Sequence, residues 1–412
     1  MGSVGSGSSV KVQDRRSKRG SKAITYLAVD ARIYVTIGAT NFSCGFHDHV
    51  ELEPALSFEE RPVTAPSATT TNVTTAIPWQ KVVSKYQNPN TIRSSWEIVN
   101  SIGPYIILWY LMWRSLSVSY LLTFALSLIA SGFLMRTFII FHDCGHGSFF
   151  NSRKANRFWG IVTGILVFTP FDQWTHEHAM HHASSGDLDR RGLGDVWTLT
   201  AGEYMTMPPL QRLGYYVYRN PFVMFGLGAF YMFVIAHRKI RNGASARERN
   251  NVWATTIALL LIAVVLSLLI GIKAYLLIQL PIIFFGGGVG VYLFYMQHQF
   301  EDTYWERHKE WDYAQAALEG SSYYKMPKVF QWFTGNIGIH HIHHLSPRIP
   351  NYRLQACQDE NPMFQEVEPL TFKESLEALW CHLYDEENRC MTSFATIHRR
   401  MRLQAETSAS LD

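Results

Sequence analysis

Three stretches of the chain set histidines at helical spacing: His142-Asp-Cys-Gly-His146, His178-Ala-Met-His181-His182 and His340-His341-Ile-His343-His344. Residues three and four apart share one face of a helix, so each stretch can point its imidazoles together. His298, within Gln297-His298-Gln299, adds a ninth ring. Nine imidazoles (His142, His146, His178, His181, His182, His298, His340, His343 and His344) are too many for one ion and suit two metals with positions left open. A set of imidazoles without thiolates suits iron, copper, nickel or zinc. Seventeen histidines in 412 residues make one such spacing ordinary. Two HxxHH stretches plus one HxxxH are not expected by chance. His176 and His341 fall out of phase with their neighbours. His47, His49, His237, His308, His382 and His398 have no partner at ligand spacing and are read as ordinary side chains. Ligating imidazoles usually donate their second N–H to an oxygen, which makes Asp143, Asp187, Asp189, Asp195 and Asn336 candidate supports. Asn336 lies four before His340 and is expected on the same helical face.

The segments that must position these rings are apolar. Residues 98–141 and 252–296 each run roughly 65 Å as helix, about twice a hydrocarbon core of ~30 Å. Arg114 with the Ser-rich 115–119, and Lys273 after Gly271, mark a turn in the middle of each block. Each block therefore reads as a helical hairpin. Residues 158–171 and 221–236 are too short to cross, and 221–236 reads as an interfacial helix. Arg153, Lys154, Arg157, Arg190, Arg191, Arg238, Lys239, Arg241, Arg247 and Arg249 all lie between the hairpins, which puts that segment and both termini on the cytoplasmic side. The expected fold is an all-α integral membrane protein with four transmembrane helices in two hairpins. A cytosolic helical cap carries a histidine-rich two-metal site. Its domain spans 91–390, with the cap at 142–251 and 297–390, a poorly ordered extension at 1–90 and a tail at 391–412.

Composition agrees. Lys and Arg number 37 and Asp and Glu 33, so the net charge is 37 − 33 = +4, with 47% hydrophobic and only 17% charged residues. That charged share is below the ~25% of an average soluble domain and excludes a disordered or nucleic-acid-binding chain. The start of the chain is Gly/Ser-rich, then basic. There, Gly2 with Ser6 fits an acylation pattern and the Ser/Arg content fits a transit peptide, beside the plainer reading of a solvated tail. Five scattered cysteines read as free thiols in a reducing compartment.

Other histidine chemistries fit less well. His176-Glu177 opens like a zincin motif, but the second histidine position is Met180. The apolar blocks contain no histidine for a haem bundle and no Glu-x-x-His pair for a carboxylate-bridged di-iron bundle. Nor do they hold mid-membrane ligands for a metal transporter.

HDCGHGSFF at 142–150, HEHAMHHASSGDLDRRGLGDVWTLT at 176–200 and GNIGIHHIHHLSPRIPNY at 335–352 resemble the membrane fatty acid desaturases, most of all the acyl-lipid delta-12/omega-6 type, over roughly residues 80–390. The resemblance implies two non-haem irons (Fe) held by the eight box histidines, with His298 as ninth ligand. It also implies O2 as co-substrate, an acyl-lipid substrate, and two electrons from a ferredoxin or cytochrome b5. The fused cytochrome module of some relatives is absent, so the donor is a separate protein. In the animal acyl-CoA branch an asparagine precedes the ninth histidine by four; here that position is Phe294. A bacterial plasma membrane is the expected location first, endoplasmic reticulum or plastid next. Hydroxylation or acetylenation on the same scaffold, and a non-catalytic metal- or haem-binding protein, are the alternatives.

Overall fold

The computed structural model describes residues 78–192 and 194–410. The Gly2 pattern, the basic run Lys11–Lys22, Cys44, His47 and His49 lie outside the described residues.

Two pairs of long helices form the apolar part. Thr91–Ser115 begins at Asn90, whose side chain accepts from the Arg93 amide at 3.0 Å. It turns at 115–119 into Tyr120–His146, and Ser115 and Thr123 hydroxyls meet across the turn at 2.8 Å. Ile98, Tyr105, Met112, Ala130 and Leu134 pack together along this pair. The second pair, Ala246–Ile270 and Ile272–His298, breaks at Gly271, whose φ of 87° only glycine adopts freely. Ser245 and Glu248 form a reciprocal capping box that starts it.

Among the described residues, three helices are long and apolar enough to cross a membrane: Tyr120–His146, Ala246–Ile270 and Ile272–His298. Thr91–Ser115 matches them in length, but Arg93, Glu97, Asn100 and Arg114 lower its hydropathy. The segment 221–236, expected as an interfacial helix, is one arm of a bent pair. Pro209–Tyr218 and Val223–Arg238 meet at 69° and are long and apolar enough for one span only together. Val223–Gly228 is wound as a π-helix against the glycine run of Ile272–His298. A β-carbon on Gly288 would lie 2.6 Å from the Phe225 carbonyl oxygen, and one on Gly287 would lie 2.9 Å from the Phe233 ring. The glycines thus admit a neighbouring helix, not a ligand. Gly288→Ala is expected to cost about 1–3 kcal/mol of stability by overpacking. A thermal-shift measurement on detergent-solubilised protein checks this, with Gly290→Ala as control because its nearest neighbour is 3.8 Å away.

The polar part is not purely helical. Leu199–Thr200 pairs in parallel with Leu383–Asp385, which pairs antiparallel with Cys390–Thr392; Tyr323–Tyr324 pairs with Pro369–Leu370. Both expected domain edges shift outward. Trp79–Ser84 forms a helix whose Val82 and Val83, with Tyr86, pack on Ile342, Leu345 and Phe364. At the other end Cys390–Thr392 and the helix Phe394–Ala409 bury Phe394 and Ile397 against Tyr204, Tyr215 and Leu383. Short runs of apolar residues at both edges carry too little periodicity to announce a helix that is stabilised only by long-range packing. The four described cysteines are free.

Candidate metal centre

Each histidine box sits where a helix is fixed at one end. His142 and His146 occupy the last turns of Tyr120–His146, which stops at Gly147 with φ 68°; the Ser148 amide closes back on the Asp143 carbonyl at 3.0 Å. His298 ends Ile272–His298. Buried Arg219 clasps that end, donating to Gln299 Oε1 at 2.9 Å, Tyr295 Oη at 3.1 Å and the Cys381 carbonyl at 2.8 Å. Phe171–Ser184 carries His178, His181 and His182, and the one-and-a-half-turn helix His340–Leu345 carries His340, His343 and His344.

The rings converge as two sets. The ligand-competent atoms of His142, His146, His178, His182 and His343 lie within 4.8 Å of one another, and so do those of His181, His298, His340 and His344. All the short contacts are Nε2 to Nε2: 3.3 Å for His142–His146, 3.0 Å for His146–His178, 3.2 Å for His178–His182 and 3.2 Å for His182–His343. In the second set His181–His344 is 3.2 Å and His298–His340 is 3.1 Å. An ion about 2.1 Å from each nitrogen has ligand–ligand edges of about 3.0–3.4 Å. One N–H can join two nitrogens; it cannot join five. Either set can hold a metal ion.

The second ring nitrogen supports this. His142 Nδ1 lies 3.2 Å from Asp143 Oδ1, His181 Nδ1 is bonded to Asp195, and His298 Nδ1 donates to the Gly320 carbonyl at 3.0 Å. A proton on Nδ1 leaves the Nε2 lone pair for a metal. The Nδ1 atoms of His182, His340 and His343 are buried with no partner, so the bond that would fix these rings lies at Nε2. Burial, and after it the neighbouring imidazoles, hold His178, His182, His340, His343 and His344 well below the usual histidine value, hence neutral and fit to ligate. In the unfolded chain they would titrate near 6.5. The unfolded state therefore takes up more protons as pH falls, and stability is lost on acidification. Metal-stripped protein is expected to melt roughly 5 °C or more lower at pH 5.5 than at pH 7.5, by scanning calorimetry.

The sequence model of the family described as "Fatty acid desaturase" matches residues 117–372, more than half of the chain. The chain belongs to the fatty acid desaturase family. It is an oxidoreductase that acts on fatty acyl chains. It is 47% identical to a fatty acid desaturase of Bacillus subtilis (strain 168) over 317 residues, 77% of this chain and 90% of that one. An sn-1 oleoyl-lipid 12-desaturase of Synechocystis sp. is 26% identical over 304 residues, 69% of this chain and 80% of that one. An omega-3 fatty acid desaturase of the endoplasmic reticulum of Vigna radiata is 30% identical over 233 residues, 53% of this chain and 58% of that one.

Within this desaturase, the supports divide. Asp143 and Asp195 meet rings of the two sets, His142 and His181. Asp187 does not: its Oδ2 takes His308 Nδ1 at 2.7 Å and its Oδ1 the Asp189 amide at 3.0 Å. Asp189 pairs with Arg307 at 2.8 Å. Gly186, at φ 77°, turns the chain away after the box, and residues 186–188 bond to Glu306. Asn336 is not helical: with Gly335 it sits at positive φ, the helix begins only at His340, and Asn336 Nδ2 donates to the Asn351 carbonyl at 3.0 Å. His341 packs between Tyr323 and Phe364, outside both sets, and His176 lies half exposed near Glu248.

Four contributors carried no sequence signal. Asn351 gives Asp143 Oδ2 both its amide, at 2.7 Å, and its Nδ2, at 3.0 Å. The same Nδ2 lies 3.2 Å from Glu97 Oε2. Gly320 lends a carbonyl, and Ser185 Oγ lies 3.3 Å from His298 Nδ1. Two aromatic residues also touch the rings. Phe294, the departure from the animal branch, packs against His181 and His298, and Trp174 stacks on His178 at 4.3 Å. Trp197 stays with Tyr215 and Tyr218. The basic residues 237–249 are largely engaged: Arg238 with the Phe168 carbonyl, Arg241 with Glu248 and Arg247 with Asp172.

Proposed function

We propose that the chain is an acyl-lipid desaturase that inserts a cis double bond. In this reading two non-haem irons are held by the set of five and the set of four histidines. O2 is co-substrate, and a separate ferredoxin- or cytochrome b5-type protein donates electrons. One observation carries it: nine buried or half-buried imidazoles from four distant segments turn Nε2 inward as two adjacent sets. When bound, the irons with O2 supply the oxidant that an unactivated methylene requires, chemistry beyond any side chain. Overall, neighbouring carbons give up two hydrogen atoms, which carry two electrons and two protons; the donor adds two electrons, solvent adds two protons, and O2 leaves as two waters.

The protein's part is to hold and to shield. Asp143, Asp195 and the Gly320 carbonyl keep the proton on Nδ1 of His142, His181 and His298 and so fix each ring's direction. Phe294 and Trp174 cover ring faces and keep water from them. In the membrane, four crossings in two hairpins are supported by the placement of His142, His146 and His298 at the helix ends opposite the turns at 115–119 and Gly271. Thr91–Ser115 is the fourth crossing in this reading, exposing Ile106, Ile107, Tyr110 and Leu111. The basic residues between the hairpins support a site on the cytoplasmic side. The Bacillus relative favours a bacterial plasma membrane.

Delta-12 insertion is the finer reading. Its support is the 26% identity to the Synechocystis 12-desaturase, below the 47% identity to a relative whose name specifies no position. Expression in a host whose lipids are only monounsaturated tests both levels. A new double bond located by mass spectrometry is expected, with about two irons per purified chain. A gain of oxygen would mean hydroxylation. Unchanged lipids, or two zincs despite ample iron, would overturn the reading.

A further inference from the structure

Beside the metal centre lies a cavity of about 560 Å³, within the range of small-molecule sites. It is basic. Arg93, Arg136, Lys325 and Lys328 line it, with the amides of Asn336 and Gln355. Glu97 balances part of the charge, lying 3.4 Å from Arg93 Nε and 3.5 Å from Arg136 Nη2. Asp359, the other acid in the lining, accepts from Gln355 Nε2 at 2.8 Å. Four cations against two carboxylates leave 4 − 2 = +2. The ammonium groups of Lys325 and Lys328 are exposed and have no partner among the described residues.

Two helices that line this cavity also expose apolar side chains next in sequence to the lining residues. The helix Lys328–Phe333 exposes Val329, Phe330 and Trp332, and the start of Thr91–Ser115 exposes Ile92 and Trp96. Trp332 is also the ring on which the Arg136 guanidinium stacks, at 4.1 Å. Tryptophans and aliphatic side chains beside a cationic chamber match a lipid at the membrane surface: charge inside, tails out into the bilayer. Asn351 forms part of the cavity wall and bonds to Asp143, which bonds to the ring of His142. The chamber is therefore one layer of side chains from the five-histidine set.

We infer that this cavity seats the anionic phosphate headgroup of the acyl lipid, with Lys325 and Lys328 as its selectivity residues. The inference rests on the desaturase reading for the identity of the lipid as substrate. The charge and the exposed apolar side chains argue for an anionic lipid by themselves.

Native mass spectrometry of the full chain, purified in mild detergent, tests it without turnover. The probes are phosphatidylglycerol and phosphatidylcholine with identical acyl chains. Wild type is expected to retain phosphatidylglycerol in preference by roughly tenfold to thirtyfold, as two unpaired lysines at a membrane surface would give. Lys325→Glu with Lys328→Glu should abolish or reverse the preference, and Lys325→Gln with Lys328→Gln should fall between. Both variants should keep wild-type metal content, which shows that the fold has survived. Absence of preference in wild type, or an equal preference in both variants, overturns the proposal. Displacement of the lipid by millimolar inorganic phosphate or by an acyl-coenzyme A also overturns it, assigning the cavity to a free phosphate or to a soluble carrier. The host-lipid assay separates the two claims. A lysine-dependent preference without any new double bond removes the desaturase reading and keeps the anionic-lipid site. New double bonds with no lysine-dependent preference do the reverse.

Discussion

His146→Ala is expected to release one of two bound metal ions and to reduce desaturation at least about a thousandfold, about 4 kcal/mol at 1.36 kcal/mol per tenfold. The five-histidine set places His146 Nε2 3.3 Å from His142 and 3.0 Å from His178. Removing it opens the middle of the ligand set, not its edge. His344→Ala should do the same to the other ion, since its Nε2 lies 3.2 Å from that of His181. The measurement is metal content per chain by mass spectrometry beside product formation. His176→Ala is the control: its half-exposed ring stands outside both sets, so metal content and activity should hold. If the two alanine variants lose both ions together, or neither, the division into two separate sites is wrong.

Asn351→Leu is expected to lower metal affinity or activity about 10–100-fold while removing no ligand. Its two N–H groups end on Asp143 Oδ2, and Asp143 Oδ1 faces the Nδ1 of His142. The buried carboxylate needs both of these donors, and leucine removes the side-chain one, leaving Asp143 and Glu97 short of a partner. Asp143→Asn should act in the same direction, because the amide cannot accept from Asn351 and from the imidazole equally well. Asp187→Asn should leave metal binding unchanged, since among the described residues the Asp187 carboxylate meets His308, Arg190 and its own loop, not a ring of either set. Titration of stripped protein with Fe(II), read as an affinity, separates these outcomes. A wild-type affinity for Asn351→Leu would show that His142 is held by packing alone.

The helical period gave eight of the nine rings, all but His298, and it also bears on their division. Residues four apart on a helix differ by about 40° in direction, adjacent ones by about 100°. The i,i+4 pairs His142/His146, His178/His182 and His340/His344 each stay within one set, and the odd members, His181 and His343, cross to the other. Hydropathy with a mid-block charge located both pairs of long helices, with outer ends two to seven residues inside those of Thr91–Ser115, Tyr120–His146, Ala246–Ile270 and Ile272–His298. Patterns that repeat within a dozen residues need only local geometry, and local geometry is written in the chain.

Which pair falls in one set with which stray ring was decided by the tertiary structure. So was the identity of the supports. Asp143 and Asp187 look alike as acids beside a histidine box, yet Gly186 turns one away, and Asn351, 208 residues from Asp143, arrives at the other. Glu97 reaches the same asparagine across 254 residues. Such contacts form because separate helices bury their apolar faces against one another and leave buried polar groups to find donors wherever the packing puts them. No spacing along the polypeptide encodes that meeting; the packed core does.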